Sequence, residues 1–412
     1  MTTTSPISTR PRITTRRTRR LPFLASTLFI AIAASLLILK FAPAPFFWVL
    51  LTWGTVLFAS IVSVRGAWPR AILFNLGIVA MLLATAEAYF ITHEYTTPIY
   101  PDGGYFVSDD VLGWVPTKGI HAHAIKPGPA GLFHGPKGRL FDVTYTIDSD
   151  GLRVAPPYRK DELLGTILFF GCSFTFGEGL KDDETLPYQV GTQSGGRYRI
   201  FNFGFHAYNP AQMLGSIEHG MVNRVVDTTP QYAFYVALPG HVWRVAGRVG
   251  WGWHAPRYML DADGNVHQAG NFETRDPFAL RLGLGRRIGG QLDKSAIWRA
   301  ISTYDSPITE DDIRLYFAVV RRSQELLKAQ YPNLQFRVLL WPPVIPAERV
   351  AYEKLRDGYR QMRIPLDLVE NALPDYGTDE LKYVLNSTDR HPNALANRLL
   401  AEYILNKIVD QH

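Results

Sequence analysis

An apolar run that stops on a glycine constrains this chain more than any other feature. Ile167-Leu168-Phe169-Phe170 is followed by Gly171-Cys172-Ser173-Phe174-Thr175-Phe176-Gly177-Glu178-Gly179. An unbroken apolar run of this length reads as a strand buried on both faces, as in the centre of a parallel sheet. Gly171 permits a sharp turn, and Gly177 and Gly179 let backbone approach a ligand closely. Ser173 then falls at the carboxyl end of a strand, where open α/β sheets place their ligands. An ordinary strand-to-loop turn fits the same residues, so the stretch points to an architecture before it points to a function.

The rest of the chain after Thr166 alternates. Thr166–Phe170, Tyr198–Phe203, Gln231–Leu238, Phe336–Trp341 and Ile364–Val369 read as strands. Asp183–Gln193, Pro210–Val226, a Thr309-capped stretch to Gln330, Ala347–Met362 and Ala394–Ile408 read as helices. Such alternation predicts a mainly parallel sheet covered on both faces. An insertion at 245–298 interrupts it. There Asp261-Ala262-Asp263-Gly264 predicts a hairpin turn. Its acidic spacing is like the start of a calcium loop, but the glycine comes too early and the distal glutamate is missing. Trp251 and Trp253 suit three roles equally: stacking on sugar rings, packing under the insertion, or touching a membrane interface.

With 412 residues the chain exceeds one typical domain, and three apolar stretches account for part of the excess. Leu21–Leu39, Phe46–Val64 and Ala71–Ile91 are each long enough to cross a bilayer as a helix. A cleavable signal peptide explains the first but not all three. Part of the net charge of +6 comes from Arg10, Arg12, Arg16, Arg17, Arg19 and Arg20 in a Thr/Ser-rich segment expected to be disordered. Beside an apolar span these arginines read as a topology signal rather than a nucleic-acid site. With Arg65 and Arg70 they put the N-terminus and the second loop in the cytoplasm. The chain after about His93 is then extracytoplasmic, at an inner membrane crossed three times. Glu87, near the outer end of the third span, reads as an interfacial carboxylate. The expected organisation is 1–20 disordered, 21–93 transmembrane, 94–165 a linker and β-rich lead-in, and 166–412 an α/β domain. The single cysteine, Cys172, rules out an intrachain disulfide. His121 and His123 share one strand face, but two histidines alone make a poor metal site. No metal or cofactor is expected.

A serine needs a base in hydrogen-bond reach and an acid to hold the imidazole. His391 precedes the last helix, with Asp389 two residues before it and Pro392 just after. A structural histidine fits that position as well. Gly171-Cys172-Ser173-Phe174-Thr175-Phe176-Gly177 resembles the first block of the SGNH (GDSL) hydrolases. Asn202-Phe203-Gly204 is similar to their second, and Asp389-Arg390-His391-Pro392-Asn393 looks like their last. The resemblance covers roughly Thr166 to His412. The turn Ser149-Asp150-Gly151-Leu152-Arg153 is similar to one in membrane-tethered bacterial members.

The resemblance implies a flavodoxin-like three-layer α/β/α domain and a Ser-His-Asp esterase mechanism. Ser173 attacks an ester carbonyl, His391 carries the proton, and Asp389 orients His391. The N–H groups of Ser173 and Gly204 form the oxyanion hole. Three positions depart from the family pattern. Cys172 stands where Asp is usual and reads as a buried small residue. The third block lacks its Asn: Leu238-Pro239-Gly240-His241 stands there, so either His241 donates in its place through a ring nitrogen or the hole relies on backbone alone. Thr388, not an acid, lies three residues before the histidine. The expected function is a membrane-anchored extracytoplasmic esterase acting on an acyl ester, O-acetyl on a polysaccharide being the leading substrate. Two alternatives stay open: an O-acyltransferase modifying a cell-envelope or exported polysaccharide, and a non-catalytic glycan-binding or assembly protein.

Overall fold

The computed structural model describes residues 20–42, 44–92, 98–128, 138–249, 252–275, 294–298 and 307–409. Residues 1–19 of the segment expected to be disordered, Trp251 and the middle of the insertion lie outside the described residues. The chain divides into two units.

The first unit contains the N-terminal helices α1 (Arg20–Phe41), α2 (Pro45–Ser60, prolonged by a 3-10 turn at Ile61–Ser63) and α3 (Ala67–Thr92). Pro45 opens α2, where a missing N–H costs nothing. Pro45–Ser63 and Ala67–Thr92 are long and apolar enough to cross a membrane, whereas Ser26–Phe41 is apolar but shorter. Among the described residues two helices thus meet the length test where three were expected. Trp53 Nε1 donates to Ser35 Oγ at 3.0 Å, a polar link between α1 and α2. The segment Lys294–Trp298 belongs to this unit. Glu87 is buried and accepts from Ala296 N at 2.6 Å, Ser295 Oγ at 2.9 Å and Ile297 N at 3.1 Å. Three donors satisfy a carboxylate that burial alone would penalise.

The second unit begins with two antiparallel hairpins: β1 (Phe106–Asp109) with β2 (Gly113–Pro116), and β3 (Ile120–Pro127) with β4 (Arg139–Ile147). Next come β5 (Gly165–Phe170), the single turn α4 (Ser173–Phe176), α5 (Leu186–Gln193), β6 (Tyr198–Asn202), α6 (Pro210–Glu218) and α7 (Met221–Val225). Then follow β7 (Pro230–Ala237), α8 (His241–Val245), the hairpin β8 (Pro256–Leu260) and β9 (Val266–Asn271), and α9 (Glu310–Gln330). The chain ends with β10 (Gln335–Leu340), α10 (Arg349–Gln361), β11 (Leu366–Leu368) and α11 (Ala394–Ile404).

Five strands form one parallel sheet in the order β11-β10-β7-β5-β6. Numbered within the sheet this is 2-1-3-4-5, a doubly wound order whose switch point lies between β5 and β7. Strand alternation splits the core. Leu168, Phe170, Tyr235, Val338 and Leu340 face Tyr316 and Val320 of α9 and Tyr359 of α10. Ile167, Phe169, Phe234, Val236 and Leu339 face Val190 of α5 and Leu400 and Ile404 of α11. The unbroken apolar runs of β5 and β7 are thereby explained, since both faces are covered.

Two boundaries differ from expectation. The helix expected over Pro210–Val226 is broken, because Gly220 adopts φ 67° and ends the turn after α6. The last helix passes into a π-turn at Leu405–Val409. Thr309 caps α9 as expected: its Oγ1 accepts from Asp312 N at 3.2 Å, and Asp312 Oδ2 accepts from Thr309 N at 2.7 Å. The hairpin turn at Asp261–Gly264 also forms, with Asp261 Oδ1 accepting from Asp263 N at 2.9 Å. The lead-in is not a separate body: Ala124, Phe141 and Tyr145 share a core with Phe176 and Phe205, which follow β5 and β6.

Candidate active site

Gly171 ends β5 with φ 153°, and a Cβ there would run into Thr175 Oγ1. Only glycine allows so abrupt an exit. The chain then makes one helical turn in which Thr175 N and Phe176 N both donate to Cys172 O at 3.0 Å. Gly177, at φ 85°, closes the turn in the left-handed region. Ser173 is thereby held at the carboxyl edge of the sheet, at the switch point.

His391 is brought to it from the far end of the chain. Asn386 Oδ1 accepts from Thr388 N, Thr388 Oγ1 and Asp389 N at 2.8–2.9 Å, which folds the loop onto itself. Leu385 N donates to His391 O at 2.9 Å, and Asn393 caps α11 through Ala396 N at 3.0 Å. His391 Nε2 lies 2.7 Å from Ser173 Oγ, and His391 Nδ1 lies 2.6 Å from Asp389 Oδ1. An ionised carboxylate only accepts, so Nδ1 carries the proton and Nε2 accepts from the serine hydroxyl. Thr388 is committed to Asn386, and Asp389 is the acid beside the ring. Ser173 and His391 are only 7% and 8% exposed, so the pair works almost out of water.

Three further side chains complete the cluster. Lys126 Nζ donates to Asp389 Oδ2 at 2.7 Å and lies 3.9 Å from Glu178 Oε1. Glu178 Oε2 lies 2.7 Å from His206 Nδ1 and 3.5 Å from His391 Nε2. None of the three was singled out from the sequence. Lys126 had a readable signal: on β3 the alternation Ala122, Ala124, Lys126 puts a lysine on the buried face. Glu178 stands between the two glycines of the serine loop. His206 had no local signal, because a loop after β6 delivers it.

Burial opposes every charge here, and the neighbours decide the outcome. Burial lowers His391, but the Glu178 and Asp389 carboxylates outweigh it and hold the imidazole above its ordinary value. Burial raises Glu178, yet His391, His206 and Lys126 keep it well below the usual carboxylate range. Asp389 is likewise held down, by His391 and Lys126 against burial. Burial lowers Lys126 despite its two acidic neighbours, and it lowers His206 despite Glu178. The Glu178 carboxylate only accepts, so His206 donates its Nδ1–H to it.

The expected oxyanion donors divide. The Ser173 N–H has no partner among the described residues. The Gly204 N–H donates to Asn202 Oδ1 at 3.0 Å, while Asn202 Nδ2 donates to Thr175 O at 3.1 Å. His241 is buried, with Nδ1 2.6 Å from Tyr235 Oη on the α9 side of the sheet. It belongs to a row of phenols in which Tyr316 Oη lies 2.7 Å from Tyr359 Oη. Among the described residues neither Gly204 nor His241 contacts Ser173 Oγ or His391. A cavity of about 390 Å³ lies behind the serine turn, against Phe170, Gly171, Gly204, Gln212 and Met213. Its lining does not include Ser173 or His391.

Glu178, Asp389 and His391 offer ligand-type atoms within 4.8 Å of one another. The Lys126 ammonium already supplies the cation between the two carboxylates, which leaves the set poorly matched to a metal ion. His121 and His123 are engaged with Thr146 and Asp142. Cys172 is a free thiol, fully buried among Ile167, Phe169 and Val236. Cys172→Ala is expected to keep most activity and to lower stability by roughly 1 kcal/mol. Turnover and the denaturation midpoint of the purified variant check this.

No protein-family model matches the chain, and no curated protein does. Solved structures are similar to it. One, described as a lipolytic protein of the G-D-S-L family from Desulfitobacterium hafniense DCB-2, shares 13% identity over 58% of this chain and 97% of its own, with a TM-score of 0.33. LAE5, an alpha/beta hydrolase from the metagenome of Lake Arreo, shares 14% over 59% of this chain and 94% of its own, with a TM-score of 0.32. Est2A, an acetyl xylan esterase from Butyrivibrio proteoclasticus, shares 9% over 70% of this chain and 73% of its own, with a TM-score of 0.30. Likeness at this level carries no argument about what this chain does.

Proposed function

We propose that the chain is an SGNH-type serine esterase, carried by an N-terminal membrane domain over 21–93. Residues 94–412 then form its extracytoplasmic catalytic part. The observation that supports this reading is the unbroken line Ser173–His391–Asp389, with contacts of 2.7 and 2.6 Å at the switch point of the sheet. A serine placed so is activated: as its oxygen bonds to the ester carbonyl, the hydroxyl proton passes to His391 Nε2. The resulting imidazolium is stabilised by Asp389 on one side. Nε2 then delivers the proton to the departing alkoxide, leaving an acyl-serine. Water attacks in the second half with His391 again as base, and Ser173 is regenerated. The Ser173 N–H is the first oxyanion donor. The Gly204 N–H becomes a second if it exchanges Asn202 for the oxyanion, and His241 a third if its ring turns toward the site.

An acetylated polysaccharide is the proposed substrate class, by analogy with esterases of this type rather than from any residue in the site. The same acyl-serine passes its acyl group to a sugar hydroxyl if that acceptor replaces water. Incubating the full-length protein with a small acetyl ester, with and without added sugar acceptors, tests the reading. Free acetate in both cases is the expected result; acetylated sugar would make it a transferase, and neither product would defeat both. The membrane arrangement is tested separately. A reporter that works only outside the cytoplasm should be active when fused after His412, and a cytoplasm-only reporter active there would overturn the topology.

A further inference from the structure

A serine triad accounts for Ser173, His391 and Asp389 but not for the two charges packed around them. Lys126 and Glu178 arrive on separate elements, β3 and the loop after α4. Each is at most 5% exposed. Burying a carboxylate and an ammonium is costly unless each finds a partner. Besides His206 and each other, their partners among the described residues include the triad residues themselves. Lys126 holds the Asp389 oxygen that His391 does not use, at 2.7 Å. Glu178 faces His391 Nε2 at 3.5 Å, the nitrogen that exchanges protons with Ser173. Ala207 sits at φ 64°, unfavourable for a residue with a Cβ, and the neighbouring His206 is turned onto Glu178 at 2.7 Å.

We infer that Glu178 and Lys126 are opposed positioning residues that set the pH at which His391 becomes a base. The inference rests on His391 being the base of the proposed esterase. When Ser173 loses its proton, the O–H bond breaks and an Nε2–H bond forms. The new cation then lies between two carboxylates, Asp389 at Nδ1 and Glu178 at Nε2. Lys126 works against it through the same Asp389. Among the described residues these charged groups face His391, with the titratable His206 close enough to feel its charge; the Phe174 ring packs against it at 5.1 Å. Glu178 in turn faces His206, Lys126, Tyr100, Tyr105 and Tyr145. Burial, aided by the Glu178 charge, pushes the three phenols up, so they stay neutral. Arg153 reaches the cluster through its charge on His206 and by packing over the Tyr145 ring at 4.4 Å.

The signs are opposite, which separates this role from mere support of the fold. Glu178→Gln removes a stabiliser of the imidazolium, so the acid limb of kcat/KM should move to lower pH by roughly one to two units. Lys126→Met removes a repelling charge, so the limb should move to higher pH by about one unit. Glu178→Asp keeps the charge and should stay near the parent. The test is the pH dependence of kcat/KM for a small acetyl ester with full-length parent and variants. It is paired with a ring-nitrogen NMR titration of His391, assigned by its loss in His391→Gln. Limbs and ring titrations that move in opposite directions support the inference. Limbs that stay put, or move the same way in both variants, overturn it. If Glu178→Gln does not fold, the direction of Lys126→Met and the position of Glu178→Asp decide. If the parent cleaves no ester, the esterase reading has failed, and the ring titrations alone still show whether the two charges bias His391 in opposite senses.

Discussion

Ser173→Ala should remove nearly all ester cleavage, by roughly 10⁴–10⁶-fold, and His391→Ala should do the same. The two residues share one proton across 2.7 Å, so either loss disables the same step. The double variant should then be little worse than either single one. Asp389→Asn should cost about 10⁴-fold. Asp389 does more here than orient a ring, because it also neutralises the buried Lys126 ammonium at 2.7 Å. Neutralising it leaves that cation, among the described residues, with the Glu178 carboxylate at 3.9 Å. Circular dichroism on each variant separates loss of chemistry from loss of fold. Folded single variants that keep a substantial rate, with losses that multiply in the double variant, would mean these residues do not act as one unit.

Arg153→Ala should have the largest effect on stability, roughly 3 kcal/mol, within the range for breaking a buried ion pair. The guanidinium is 1% exposed and lies between the rings of Tyr145 and Phe176, at 4.4 and 4.7 Å from their centres. It donates to Asp182 Oδ1 at 2.8 Å and to Leu180 O at 2.9 Å. These bonds tie the loop after Ser173 to the lead-in segment that follows β4. Asp182 is a quarter exposed, so water recovers part of the carboxylate's loss and the estimate stays at the low end. Arg153→Lys should recover only part of the stability, because an ammonium carries its donors on one nitrogen and lacks the planar fork that reaches Asp182 and Leu180 from separate nitrogens. The denaturation midpoint measures both variants. An unchanged midpoint for Arg153→Ala would show that the loop holds without the clamp.

The sheet was legible because its strands carry the signal themselves. Ile167–Phe170 and Tyr232–Val236 are apolar on both faces, and only a covered parallel sheet uses such runs. Ser173, His391 and Asp389 were legible for a different reason: each lies in a short block where glycine or proline fixes the backbone. What was missed depends on tertiary approach. Whether a glycine's N–H is available cannot be read locally, and Gly204 turns out to donate to Asn202. His241 occupies the strand-end position that a donor needs, but its Nδ1 faces Tyr235. His206 reaches Glu178 only because a loop after a different strand folds back. The break after Glu218 was legible in principle, since Gly220 sits inside an otherwise helical pattern.

The most direct test is covalent capture with a fluorophosphonate, read by peptide mass spectrometry on the full-length protein. A phosphonyl adduct should form on Ser173 in the parent, be absent in Ser173→Ala, and form far more slowly in His391→Ala. Its rate should rise with pH through the titration of His391, which lies above the ordinary imidazole value because Glu178 and Asp389 stabilise the protonated ring. No adduct on Ser173 in the folded parent, or an equal labelling rate after His391→Ala, would contradict an activated serine in this site.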